Sequence, residues 1–571
     1  MSGVDTVLHG GRVYTVDAVD KIVEALAIKN GRIVATGDSA SMLDLAGAGT
    51  RKVDLGGRAV VPGFVDSHPH MDGLGLRLYK PAFDDPKSID EILNVIKAEV
   101  AKRKPGEWIV CSPIASEPQV QKYPGALREG RWPNRHDLDS VAPDNPVYIE
   151  PPILIAPGIA VANSAALRIA GITGKTPVPT GVEIDVDALG EPTGIFRDFT
   201  FPKTMPDIYG TGRPGRALFG MIPPLTQNDM IRGVELAQRA FNAAGITAIY
   251  EGHGLPKAQQ EAYLDIWLRK ALTVRTYFVI AFGPNMFADQ AAGDALIKET
   301  ALYAAGNGFG DDLLKFGGLG YSFDSATAIG ACLMREPYVG ARGTKWQGVQ
   351  HTSDEKFYDG LRRAARAGLR LQVQAAGGLA IDKVLGMMEE INREIPIKGK
   401  RWVIEHCQFP SKANLEVCKR LGIVATTTTN FLWNYGTVYL RSFGEELAGD
   451  AIPLRDWIDG GVMIAQSTDG RPYEPIFTFW QSLARKDGAT GHVFGLPRQK
   501  LTRAEALRLY TYNAAYATFW EDRIGSLEAG KLADLAILSD DIMTMPEDRI
   551  PEATVLTTLL AGKPVHDVGL M

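Results

Sequence analysis

The chain has 571 residues, 45% hydrophobic and 22% charged, which is the make-up of an ordinary globular protein. Its 61 basic and 67 acidic residues leave a net charge of −6, which excludes a strongly basic surface for nucleic acid or anionic membrane. Cys111, Cys332, Cys407 and Cys418 form no C-x-x-C pair, no basic-then-apolar leader opens the chain, and no run reaches the roughly 18 apolar residues of a membrane span. The expectation is a cytoplasmic protein with reduced thiols.

Residues Thr6 to Lys52 read as short strands with glycine turns, a small antiparallel sheet. The far end, from Gly525 through Ala533–Leu538 to Gly562, reads alike. Neither end is long enough to bury a core alone, so the two are expected to meet in one composite β-sandwich over 1–58 and 522–571. Val60–Val65 is an apolar strand that runs into Asp66-Ser67-His68-Pro69-His70. The stretch 72–232 is too long for a single crossover and carries its own strand and helix patterns, so it reads as an inserted α/β lid.

Seven further apolar strands follow: Thr247–Glu251, Leu272–Ile280, Leu313–Leu319, Leu369–Gln374, Arg401–His406, Ile423–Thr428 and Val462–Ser467. Helical patterns such as Met230–Ala244, Phe357–Ala367, Ala380–Arg393 and Ser411–Leu421 lie between them. Eight strand–helix units predict an α/β fold, a (β/α)8 TIM-type barrel over 59–71 and 233–521.

In such a barrel the chemistry sits where the strands end. His68 and His70, two apart at the end of a strand, would share a face and point at one metal ion. The other strand ends offer Glu251 and His253, Lys315, Gln374, His406 and Asp469. Three histidines and a carboxylate suit a hydrolytic metal site. An aromatic group after the seventh strand, with Trp433 and Tyr435, suits the wall of a pocket for a bulky apolar substrate; packing against the lid is the bland alternative.

The chain resembles the amidohydrolase superfamily, specifically amidohydrolase family 3, which includes N-substituted formamide deformylases. The likeness rests on Pro62–His68, Val161–Leu167, Ile404-Glu405-His406, Ser467-Thr468-Asp469, Tyr512–Ala515 and Gly525–Leu538. It departs at the fifth strand, where Gln374-Ala375-Ala376-Gly377-Gly378 stands in place of the usual metal-binding histidine and Gly-Asp. Lys315 can fill the family's strand-four lysine position, but Leu319-Gly320 replaces the expected Asp-Gly, and Gly158 falls where a histidine is common.

The resemblance implies one divalent metal ion, zinc first with iron or manganese as alternatives and a second ion left open. Its holders would be His68, His70 and Asp469, with His406, Lys315 and Gln374 as further candidates. Asp469 would also move the proton and His406 would bind metal or steady the oxyanion, while Glu251, His253, Trp433 and Tyr435 would meet a small-molecule substrate. The implied activity is hydrolysis of an amide, formamide or cyclic amide. A metal-dependent lyase and a metal-free binding protein stay open beside it, as does a homodimer.

Overall fold

The computed structural model describes residues 3–83, 85–115, 118–152, 154–200, 214–340 and 343–571; parts of the expected insertion, including 201–213, lie outside the described residues. Eight parallel strands form the central barrel: β1 Phe64–Asp66, β2 Ile246–Tyr250, β3 Arg275–Ala281, β4 Leu314–Ser322, β5 Leu371–Ala375, β6 Val403–His406, β7 Val424–Thr427 and β8 Ile464–Gln466. They pair in sequence order, and the seam between β8 and β1 is stitched from their ends. There Ser67 Oγ donates to the Gln466 carbonyl at 2.9 Å, and the Thr468 N–H donates to the Asp66 carboxylate at 3.2 Å.

The single strand expected over Val60–Val65 is two strands. Ala59–Pro62 belongs to the terminal sheet and Phe64–Asp66 to the barrel, with the break at Gly63. A Cβ at Gly63 would lie 2.3 Å from Thr247 Oγ1, so the chain passes too close to β2 for any other residue.

Alternation along the strands sorts the layers. Val65, Ala248, Tyr250, Tyr277, Val279, Val403, Val424 and Ala465 fill the interior. Their neighbours, such as Ile249, Phe278 and Ile404, face the surrounding helices. Those helices begin at side-chain caps: Thr226 with Asp229, Ser353, and Ser411 with Asn414 each satisfy first-turn N–H groups. Helix Tyr512–Ala517 and Trp520 plug the floor. The buried Arg370 guanidinium there lies 5.1 Å from the Tyr250 ring centre, 5.3 Å from that of Tyr277 and 4.9 Å from that of Phe519.

The termini form two sheets. One holds Val4–His9, Ala25–Lys29, Arg32–Gly37 and Ala46–Asp54, and its outer pair, Val4–His9 with Ala46–Asp54, is parallel rather than antiparallel. The other joins strands from both ends of the chain, with Ala59–Pro62 paired to Leu535–Leu538. Asp534, just before that strand, takes two hydrogen bonds from Arg275 of β3 at 2.6 and 2.9 Å, a buried ion pair between sandwich and barrel.

The insertion leaves along helix Met71–Tyr79 and returns along Gln227–Ala243, which pack so closely that a Cβ on Gly75 would lie 2.3 Å from the Gly233 backbone. Between them a five-stranded sheet, centred on Gly158–Ala162, covers its own core of Ile92, Ile96, Ile109, Val147 and Val161. The insertion touches the barrel mouth through helix Asn430–Gly449: Gln121 bonds to Asn434 and Thr437, and Leu154 and Ile155 pack on the cluster that holds Phe431. All four cysteines are free and buried, and among the described residues no helix is long and apolar enough to cross a membrane.

Candidate metal centre

β1 stops at Asp66, so strand alternation is not what brings His68 and His70 together. The following loop does it. Asp66 accepts the His68 N–H at 3.2 Å and the Thr468 hydroxyl at 2.5 Å, and Pro69 accepts the Gly252 N–H at 3.0 Å. The two rings end T-shaped, 5.3 Å apart. Gly252 has no room for a side chain, since its Cβ would stand 2.7 Å from His68 Nε2 and 2.9 Å from His70 Cε1.

His406 reaches the site by a backbone exception. Ile404, two residues earlier, faces the helix layer, and a regular strand would send His406 the same way. Instead His406 adopts a left-handed φ of 68°, so both Glu405 and His406 serve the mouth. His253 (φ 55°) and Asp469 (φ 58°) are left-handed too. Such backbone costs a non-glycine residue about 1 kcal/mol or more, and three instances around one cluster mark a place where geometry outranks local stability.

Asp469 is the hub. One oxygen lies 3.1 Å from His70 Nε2 and 4.0 Å from His68 Nε2, and the other lies 3.6 Å from His406 Nδ1. Burial works against its charge, but those three imidazoles hold its carboxyl well below the usual range. Glu405 lies beneath, fully buried, with His68 Nδ1 at 2.7 Å and His253 Nδ1 at 3.1 Å. Gln372 also donates to Glu405. His253 Nε2 is 3.2 Å from His68 Nε2 and 3.4 Å from His406 Nε2.

Burial lowers the pKa of His253 to about 3 and that of His406 to about 4, so both are neutral electron-pair donors at pH 7. Burial also disfavours a charged His68, but Glu405, Asp469 and Asp66 outweigh it and raise its pKa to about 9. Electropositive charge, a proton or an ion, is what this pocket is built to hold. The sets His68, His70, His253 and His68, His406, Asp469 each keep their ligating atoms within 4.8 Å of one another. Imidazoles with one carboxylate suit a borderline divalent ion such as zinc.

The other expected site residues lie elsewhere. Lys315 is at the start of β4, seven residues or roughly 20 Å from the mouth, with its ammonium 5.9 Å over the Trp520 ring in the floor. It cannot reach the histidines. Gln374 does face the mouth, but its Nε2 donates to Asp324 Oδ1 at 2.9 Å. Asp324 also accepts the Leu333, Ala376 and Gly377 N–H groups, each at 2.9 Å. The Gln374 oxygen is buried and has no partner among the described residues.

Glu251 turns toward Asp72 and Tyr263, away from the histidines, and burial with the Asp72 carboxylate raises its pKa well above the usual range. Trp433 packs on Phe477 and Trp480. The aromatic face against the site is Phe431, stacked on His406 at 5.6 Å, with Tyr435 behind it at 5.4 Å. His253, expected against substrate, sits instead inside the histidine cluster. Sequence reasoning passed over Glu405 and Asp324, and took Phe431 only as one member of the aromatic group after the seventh strand. For Glu405 a signal existed, because it shares the inward face of β6 with Val403.

A family model described as "Amidohydrolase family" matches residues 51–566. The chain is similar to an N-substituted formamide deformylase of Arthrobacter pascens, 27% identical over 98% of this chain and 97% of that protein. It is 26% identical to the putative amidohydrolase YtcJ of Bacillus subtilis (strain 168), over 98% of this chain and 99% of that one. An uncharacterized metal-dependent hydrolase from Pyrococcus horikoshii shares the fold, with a TM-score of 0.71 at 23% identity over 95% of this chain and 99% of that chain. With a matching model that runs from the terminal sheet through the barrel and back, the chain belongs to the amidohydrolase family.

Proposed function

We propose that the protein is a metal-dependent hydrolase of a carbon–nitrogen bond in an amide, formamide or cyclic amide. The observation that carries this is Asp469, one carboxylate within 4.0 Å of three imidazoles, two from the loop after β1 and one from the end of β6. His68, His70, His406 and Asp469 would hold one divalent ion, with zinc the best match to nitrogen donors and a carboxylate. Such an ion, when bound, polarises a carbonyl and makes water acidic enough to attack at neutral pH.

The chain's own part is proton handling and placement. Asp469, ionised at pH 7, takes a proton from the attacking water through one oxygen and delivers it to the leaving nitrogen. Phe431 and Tyr435 form the apolar wall on the β6–β7 side and favour a substrate with a flat or bulky group. The formamide deformylase among the relatives supports starting with formamides.

The test is elemental analysis of the purified protein and of the His68→Ala/His70→Ala double variant, followed by turnover of a panel of formamides, primary amides and lactams. Stoichiometric metal in the wild type, lost in the variant, with release of an amine is the expected result. A wild-type protein that takes up neither zinc, manganese nor iron would overturn the reading.

A further inference from the structure

The third imidazole of the cluster comes from the β2 loop, on the far side of the barrel from where the sequence resemblance looks for one. At the end of β5, Gln374 has its amide NH2 committed to Asp324, whose carboxylate is pinned by three backbone N–H groups. Its oxygen is therefore directed by a rigid clamp and not by the histidines. His253 is placed quite differently. Its Nε2 stands 3.2 Å from His68 Nε2 and 3.4 Å from His406 Nε2. Nitrogen ligands at zinc–nitrogen distances of 2.0–2.1 Å in a tetrahedron lie about 3.3 Å from one another.

Both rings have Glu405 at their inner nitrogen. Glu405 faces the Nδ1 atoms of both His68 and His253, at 2.7 and 3.1 Å. A carboxylate against Nδ1 turns Nε2 toward the centre of the cluster; for His68 this contact is a hydrogen bond, and for His253 it is a close approach without one. The two Nε2 atoms face each other across 3.2 Å, a separation that a shared proton bridges in the metal-free protein and that also matches two nitrogens on one zinc ion. His253 bears a left-handed backbone to stand there, and Gly252 before it leaves no atom in the way.

We propose that His253 is a metal ligand in this chain, supplying the coordination that a β5 histidine would give, and that Gln374 is outside the coordination sphere. The inference rests on the metal-dependent reading above. It is tested by zinc titration of the metal-free protein against a chromophoric chelator, and by the visible absorption of the cobalt-loaded protein.

His253→Ala and the bulkier His253→Gln are expected to lose more than about 100-fold in zinc affinity, beyond what removing a supporting residue costs, and to change the cobalt bands. Gln374→Ala is expected to leave both unchanged. A thermal melt of each metal-free variant separates a lost ligand from a lost fold. Undiminished zinc affinity and unchanged cobalt bands in both His253 variants would overturn the inference, as would an equal loss in Gln374→Ala. A wild-type protein that binds neither ion would instead sink the functional reading, and the inference with it.

Discussion

The two ends of the barrel solve opposite electrostatic problems. At the floor the chain supplies its own cation: the Arg370 guanidinium lies among the Tyr250, Tyr277 and Phe519 rings, and its Nε donates to the Arg401 carbonyl at 2.8 Å. At the mouth it gathers electron-pair donors instead: four imidazoles over one carboxylate and beside another. The floor is complete as encoded, whereas the mouth is arranged to receive charge. Stability and function are thus written at separate ends of one barrel, and substitutions should divide the same way.

The division breaks or sharpens under four changes. Asp469→Asn removes the proposed proton carrier, so turnover of whichever amide or formamide the wild type hydrolyses should fall by about 10³-fold or more while the melting temperature holds; a fully active variant would dissolve the proposed role. Arg370→Ala should cost stability of about 3 kcal/mol, from lost ring–cation contacts and a cavity, read by urea unfolding. Its metal content should match the wild type, and a loss of metal would show that the two ends are coupled.

Glu405→Gln keeps the size of the group that steadies His68 and His253 and weakens its hold on the proton of His68. Zinc affinity should drop by about 10–100-fold on chelator competition, with little change in fold. The smallest effect concerns Asp324, whose pKa burial raises from 3.8 to about 6 although its N–H donors pull it back. The folded state therefore holds this proton more tightly than the unfolded chain. Its contribution is largest below pH 4, falls by about 1.4 kcal/mol per unit as pH rises toward 6, and is flat above. In urea melts the advantage of the wild type over Asp324→Asn should shrink from pH 4.5 to 6; a constant gap would remove Asp324 from the titration.

Most of the architecture was legible because it follows periodicity. Every barrel strand beyond the first, such as Leu369–Gln374 against the observed Leu371–Ala375, declares itself by an apolar run between helical patterns. His68, His70, His406 and Asp469 were legible because motif and strand end coincide. What stayed hidden depends on single-residue backbone conformation or on register. The left-handed turns at His253 and His406 carry only a faint sequence mark, since histidine adopts positive φ more often than most residues but still rarely. Lys315 was misplaced because β4 runs on to Ser322, three residues beyond the predicted end at Leu319. The mouth therefore lies further along the chain than the lysine allows.

The pairing of Ala59–Pro62 with Leu535–Leu538 has a consequence for how the protein is made. One edge of that sheet leaves the ribosome early, and its partner follows roughly 470 residues later, on the order of a minute at ordinary elongation rates. Through that interval Val60 and Val61 present unmatched N–H and C=O groups on an apolar strand. A nascent chain with such an edge is a natural client for a chaperone, and the sheet can close only after the entire barrel between its two edges has been made.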